Sequence, residues 1–371
     1  MRVTAVELRD FRNYMRVTVQ VGDGLTVVAG PNGAGKTNLL EGVYFGCVGR
    51  SPRTANEREL LRAGADVARV AVDTVEQDGT THRLEVGLDP GSAKSLRVDG
   101  APVDSLSTTH ARPLVSVFLP ERLELVKGAP ASRRAHLDSF VAAVWPARQE
   151  TRTAYSRALA QRNALLGRIR GGVSSPSTLS TWDTELAEQG VRLMTDRAEA
   201  VELLAPRFAE LGALLGLPDG PTLRYRPRSP ALDAAALIEE LAARQPADIE
   251  RGFTAHGPHR DDIALGHGGR SLRRYGSQGQ QRVALLALLF AERDVLRDQR
   301  DRTPLMLLDD VMSELDAARR SLLAELLRDG GQSLLTTTEA EHVPGAHDPG
   351  VCLVHVEEGS VSQPVGDAVE A

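Results

Sequence analysis

Residues 30–37 read GPNGAGKT, a run of glycines closed by one ammonium and one hydroxyl. Glycines let successive backbone N–H groups turn inward around a polyphosphate. Lys36 can then reach the β- and γ-phosphate oxygens, and the Thr37 hydroxyl is a ligand for Mg²⁺. The flanks agree: LTVVA (25–29) is a buried-strand pattern, and Leu39, Leu40, Val43, Tyr44 and Cys47 share one helical face. The stretch predicts a nucleoside triphosphate site built from Gly30, Asn32, Gly33, Ala34, Gly35, Lys36, Thr37 and Asn38. The lysines are Lys36, Lys94 and Lys127 alone, so a compact ammonium stands here where a planar guanidinium would not fit. None follows an asparagine, which removes the Asn-Lys-x-Asp reader of guanine. ATP is the expected nucleotide.

An acidic partner lies near the other end, in PLMLLDDVMSELD (304–316). Four apolar residues precede Asp309 and Asp310, and a carboxylate at the end of a buried parallel strand sits at the mouth of an α/β sheet. Asp309 is expected on the Mg²⁺ side, and Asp310 is placed to orient or deprotonate an attacking water. Two surface aspartates capping a helix are the plainer alternative, stronger for Asp310. A third segment, YGSQGQQR (275–282), precedes the apolar run VALLALLFA. Its hydroxyl, glycines, amides and single arginine suit an anion at a helix N-terminus, with Ser277, Gly279 and Gln280 as contacts. A helix capped by its own side chains and holding nothing is the alternative.

The rest of the chain must position these segments. Its 371 residues, 42% hydrophobic and 25% charged, are those of a globular protein of two or three lobes. The longest apolar run, residues 283–291, is far short of a membrane span, and charge from Arg2 onward leaves no secretory core. Cys47 and Cys352 give no disulfide framework, and a cytoplasmic location is expected. The net charge of -6 is local: residues 339–371 carry seven acids and no Lys or Arg, leaving 43 acids against 44 bases elsewhere.

SQGQQR, about 30 residues before the aspartate strand, resembles the signature motif of ATP-binding-cassette ATPases, and SELD (313–316) resembles their D-loop. That resemblance implies that signature and P-loop meet in trans, in an ATP-bound homodimer with two composite sites. Transporter cassettes normally carry a histidine after the next strand, where TTTEAEH (336–342) has threonines. LRDFRNY (8–14), GPNGAGKTN (30–38), FLPERLELVKGAP (118–130), HGPHRDD (256–262), SQGQQR (277–282) and LLDDVMSELD (307–316) occur in the order of the RecF family of bacterial recombination mediators. The chain resembles that family over nearly its whole length. The resemblance implies an α/β ABC-type P-loop head from residues 1–119 and 270–371, with a helical arm from 120–269. It also implies binding to DNA at duplex or gap junctions, cooperation with RecO and RecR in loading RecA, and slow, DNA-stimulated ATP hydrolysis. Arg12 and Asn13 would lie beside the phosphates, a solvated hairpin charge being the alternative for Arg12; Pro120-Glu121 falls near the position expected of a Q-loop, where no glutamine stands. A transporter ATPase subunit and a degenerate ATPase scaffold are the competing readings.

Between the motifs, residues 131–216 carry apolar stripes at helical spacing, such as Leu137, Phe140, Val141 and Val144. Arg133, Arg134, Arg148, Arg152, Arg157, Arg162, Arg168 and Arg170 line this arm, and Arg50, Arg53, Arg58 and Arg62 follow the P-loop helix. Contact with a phosphate backbone is expected of such a set, a solvated face being the alternative. HGPH (256–259) is expected as a rigid turn near a dimer or DNA surface rather than a metal site.

Overall fold

Leu25–Ala29, Leu305–Leu308 and Ser333–Thr337 are buried at every position, as strands covered on both faces must be. The computed structural model describes residues 1–313 and 315–363; Glu314 of SELD, and Asp367 and Glu370, lie outside them. Chain order begins with β1 (Arg2–Phe11), β2 (Tyr14–Gln20), β3 (Leu25–Ala29), α1 (Lys36–Val48), β4 (Ala68–Val75), β5 (Thr81–Leu88), β6 (Ser95–Val98), β7 (Ala101–Pro102) and β8 (Val115–Phe118). Helices α2 (Glu124–Lys127), α3 (Pro130–Val144), α4 (Gln149–Arg170) and α5 (Ser180–Leu215) follow. Then come β9 (Thr222–Arg226), α6 (Ala234–Arg251), β10 (Asp262–His267), β11 (Arg270–Ser271), α7 (Leu272–Tyr275) and α8 (Gln278–Arg300). The order closes with β12 (Leu305–Leu308), α9 (Ala317–Arg328), β13 (Ser333–Thr337), β14 (Cys352–Glu357) and β15 (Ser360–Ser362). No helix among the described residues is long and apolar enough to cross a membrane.

The chain divides into two units: Met1–Arg122 with the chain from Leu296 onward, and Leu123–Val295. In the first, one sheet has the order β15-β14-β3-β13-β12-β8. Its strands β14, β3, β13, β12 and β8 run parallel. That register brings Ala29 beside Thr337 and Leu308 beside Phe118, so the P-loop and the aspartate pair leave the same sheet edge. A second, antiparallel sheet, β2-β1-β4-β5-β6-β7, sends Val6, Leu8, Val70, Val72 and Leu84 into a core shared with Leu39, Leu40 and Val43 of α1.

The second unit begins three residues after the sequence boundary of 119/120 but runs 26 residues past 269/270. The signature segment therefore groups with the helical lobe. The cause is packing: β11 pairs with β10, and His136 of α3 bonds Glu292 of α8 at 2.6 Å. Leu288 and Glu292 line a small cavity with Leu204 of α5 and Leu265 of β10. The apolar run of α8 belongs to this core.

Two arginines read as phosphate contacts, Arg133 and Arg162, are internal struts, and a third, the half-buried Arg148, is paired with acids. Arg162 is fully buried; its Nε donates to Asp183 Oδ1 at 2.6 Å and its Nη1 to Asp248 Oδ2 at 2.8 Å and Thr254 Oγ1 at 2.7 Å. Arg133 is buried against Asp262 at 2.7 Å, and Arg148 pairs with Asp196 at 3.1 Å and with Glu199. Arg157 and Arg168 remain exposed. The HGPHRDD turn is interior at His256, Gly257, Pro258 and Asp261, while Arg260 is exposed. His256 bonds Glu240 at 2.6 Å, and Asp261, fully buried, accepts from Arg197, from the Tyr225 hydroxyl and from Arg228 N–H. His259 Nδ1 meets the Tyr155 hydroxyl at 2.7 Å and Nε2 meets Thr254 O at 2.9 Å, a pattern that assigns the proton to Nε2. Burial brings its pKa down to about 4. Arg162→Ala strands two carboxylates in the core and is expected to destabilise the lobe by about 3–5 kcal/mol. Urea unfolding measures this, and an unchanged midpoint would show the ion pairs to be absent in solution.

Candidate nucleotide site

β3 ends at Ala29, and the chain turns through Gly30–Gly35 before α1 begins at Lys36. A Cβ on Gly30 would sit 2.1 Å from Val356 O, and one on Gly35, at φ 120°, would sit 2.4 Å from Asn13 Nδ2. Both glycines permit the loop to lie directly on its walls. Asn13, in the turn between β1 and β2, clasps the loop from outside. Its Nδ2 donates to Ala34 O at 2.9 Å, and its Oδ1 accepts from Asn38 Nδ2 at 2.9 Å. Tyr14 OH donates to Gly35 O at 3.0 Å, and Gly359 N–H to Ala34 O at 3.1 Å. The crest, residues 31–33, is exposed, so Asn32 and Gly33 face solvent.

Lys36 is buried, and its Nζ donates to Gly30 O at 2.7 Å and Pro31 O at 2.9 Å. Burial lowers its pKa, while the charges of Asp310 and Asp309 act in the opposite direction. The next residue closes the site: Thr37 Oγ1 lies 2.9 Å from both carboxylate oxygens of Asp309. Thr336 Oγ1 donates to Asp309 Oδ1 at 2.7 Å and accepts from Asp310 N–H at 2.9 Å. Burial raises the Asp309 pKa, and the hydrogen bonds from Thr336 and Thr37 oppose that rise. Asp310 has φ 47°, a left-handed backbone uncommon outside glycine. Its amide is held there by Thr336.

Arg12 and Arg53 converge on Glu41, one helical turn past Thr37 and almost fully buried. Arg12 Nε and Nη2 meet the Glu41 carboxylate at 2.8 and 2.9 Å, and Nη1 donates to Glu59 O at 2.7 Å. Arg53 Nη1 lies 3.1 Å from both Glu41 Oε2 and Asn38 Oδ1, and its Nε lies 3.5 Å from Glu121. Sequence reasoning grouped Arg53 with DNA-facing arginines and passed over Glu41 and Thr336. The available signal was Glu41 as the single acid in the apolar stretch LLEGVYFGCV.

Arg12, Asn13, residues 30–38, Asp309 and Asp310 all belong to the first unit; Ser277, Gly279 and Gln280 belong to the second. At the start of α8, Ser277 N–H donates to Gln280 Oε1 at 2.9 Å and Gln280 N–H to Ser277 Oγ at 3.2 Å. This reciprocal capping box leaves the first-turn amides of Gln278 and Gly279 without intrahelical acceptors. Both residues are exposed, and open space surrounds Gly279. The self-capped reading thus describes the two polar side chains.

A family model described as RecF/RecN/SMC N terminal domain matches residues 2–362. A DNA replication and repair protein RecF from Anaeromyxobacter sp. (strain Fw109-5) is 39% identical over 373 residues, covering 98% of this chain and 99% of that one. The chain belongs to the RecF family. A solved structure of the recombination mediator protein RecF with ATP, in the RecFOR pathway, superimposes with a TM-score of 0.84 at 27% identity. That match covers 98% of this chain and 97% of the other. An Smc head bound to the C-winged helix domain of ScpA matches with a TM-score of 0.61 at 17% identity, over 98% of this chain and 97% of that one. It shares the fold, an ABC-type ATPase head. RecF membership sets aside the transporter reading.

The RecF-type loop depends on its asparagine clasp. Asn13→Ala removes two hydrogen bonds worth about 1 kcal/mol each, and nucleotide affinity is expected to fall by up to about thirtyfold. Titration with a fluorescent ATP analogue checks this; unaltered affinity would show that the loop sets its own shape.

Proposed function

We propose that this chain is an ATP-dependent DNA-binding mediator of recombination and repair. One observation carries the reading: Lys36, Thr37 and Asp309 converge from segments 272 residues apart, with Thr37 and Asp309 at 2.9 Å. A degenerate scaffold would have no reason to keep that meeting. The relatives' names, a DNA replication and repair protein and a recombination mediator of the RecFOR pathway, supply the context.

In this reading Lys36 leaves the carbonyls of Gly30 and Pro31 for the β- and γ-phosphates, and the amides of residues 32–35 cradle them. The oxygens of Thr37 and Asp309 fit a hard divalent cation. Mg²⁺, when bound, neutralises charge on the β- and γ-oxygens. Asp310 orients or deprotonates the attacking water. Ser277, Gly279 and Gln280 of a second copy grip the γ-phosphate, so ATP joins two protomers into a dimer with two composite sites. The dimer binds gapped DNA at the junction of single and double strands. With RecO and RecR it promotes RecA loading and displacement of single-strand-binding protein. Slow, DNA-stimulated hydrolysis times its release, in the cytoplasm.

Light scattering with ATP, with ADP and with neither, followed by gapped DNA, tests the dimer directly. A mass that stays monomeric at saturating ATP would overturn it. Lys36→Arg is expected to weaken ATP binding at least about tenfold, because the guanidinium fork does not occupy the ammonium's slot. Equal affinity in a binding titration would count against the loop assignment. Ser277→Arg is expected to leave nucleotide binding by the monomer intact and to abolish ATP-induced dimers; dimers that persist would refute the trans arrangement.

A further inference from the structure

Register on the antiparallel sheet of the first unit sets three guanidiniums side by side. Arg9 of β1 pairs with Arg16 of β2 on one side and Arg69 of β4 on the other. The row continues through Gly87 of β5 to Ser95 of β6. Directly opposed residues project from the same face, and like charges so placed repel. All three arginines are exposed, and among the described residues none of them has an ion pair or side-chain hydrogen bond. The carboxylates of the next two rows on that face gather on Arg83: its Nη2 meets Glu7 at 2.9 Å, its Nη1 meets Asp73 at 2.8 Å, and its Nε lies 3.9 Å from Glu85. A sheet that keeps an unrelieved row of like charge is locally frustrated, and such conflicts concentrate at functional positions.

Gly87 adds an independent observation. Its backbone is not in the left-handed region, and a Cβ there would meet Ser95 Cβ at an ordinary 3.4 Å. Neither conformation nor crowding requires glycine in this strand interior. Its effect is to leave the position opposite Arg69 bare, within a cleft of about 480 Å³ lined by the cations Arg9, Arg69, Arg83 and Arg97 and by the acids Glu7, Glu85 and Asp89. A glycine inside a strand commonly marks close approach by a ligand or another backbone.

We propose that this face is a sequence-independent seat for the phosphodiester backbone of duplex DNA, carried by the row Arg16–Arg9–Arg69. The inference rests on the DNA-binding reading above and adds the surface that performs it. Guanidinium forks match phosphate oxygens. Strands lie about 4.8 Å apart, so the three arginines span about 10 Å of backbone, long enough to neutralise more than one phosphate. No aromatic residue lines the cleft, which disfavours base stacking and also the buried anchors that a protein partner would need.

The test measures anisotropy of a labelled duplex with the full chain and ATP across a salt series. The triple variant Arg9→Gln/Arg16→Gln/Arg69→Gln is expected to lose at least about tenfold in affinity. Its log–log salt slope should fall by about 2–3, from about 0.9 per phosphate contact. Gly87→Glu, which sets a carboxylate opposite Arg69, should lower the slope by about 1 and decides the matter if the triple variant does not fold. Both variants should form ATP-induced dimers like the parent. If the parent binds DNA and both folded variants keep its slope, the face is wrong while the DNA reading stands. If the parent binds no DNA, both fall. If the variants lose binding to polyaspartate but not to duplex, the seat serves an acidic protein segment and the proposal is overturned.

Discussion

The bond between Thr37 and Asp309 is the constraint on which the first unit is built. It joins the first turn of α1 to the end of β12, residues 272 positions apart. A parallel sheet that inserts β13 between β3 and β12 brings those ends to one edge. The carboxylate is buried, and burial resists its charge. Two threonine hydroxyls and the positive field of Arg53 oppose that resistance. Thr336 has a double task, donating to Asp309 while fixing the amide of Asp310. One hydroxyl from β13 therefore sets both acids.

A second, smaller node stands beside it. Glu41 draws Arg12 from the β1–β2 turn and Arg53 from the chain after α1 to one buried carboxylate. Asn38 and Asn13 relay that node to the P-loop at Ala34. A displacement of the loop would thus be felt at Glu121, through Arg53. Contiguity of this kind is a physical route for coupling.

Much of this was legible in the sequence because the chemistry is local. GPNGAGKT specifies its own turn, and LMLL before Asp309 specifies a buried strand. The ABC-type head and RecF kinship followed from motif order. Pairing was illegible where partners lie far apart. Arg162, Asp183 and Asp248 look in sequence like three ordinary surface charges, yet they form one buried cluster. Helical spacing told which residues share a face but not which face meets the core. Arg133 and Arg162 therefore read as solvent-facing, although acids from distant segments hold them inside. The row Arg16–Arg9–Arg69 was hidden for the opposite reason: its members are scattered in sequence and gathered by strand register.

The capping box at α8 has a consequence for selectivity. Ser277 and Gln280 already satisfy each other's amides, so the helix tip is stable without company. The amides of Gln278 and Gly279 lie outside that box without an intrahelical acceptor, so two donors and the positive end of the helix dipole are offered to solvent together. On the proposed reading of this tip as an anion contact, an acceptor meets those two donors without breaking the box, and a densely charged group gains more from them than a weakly charged one.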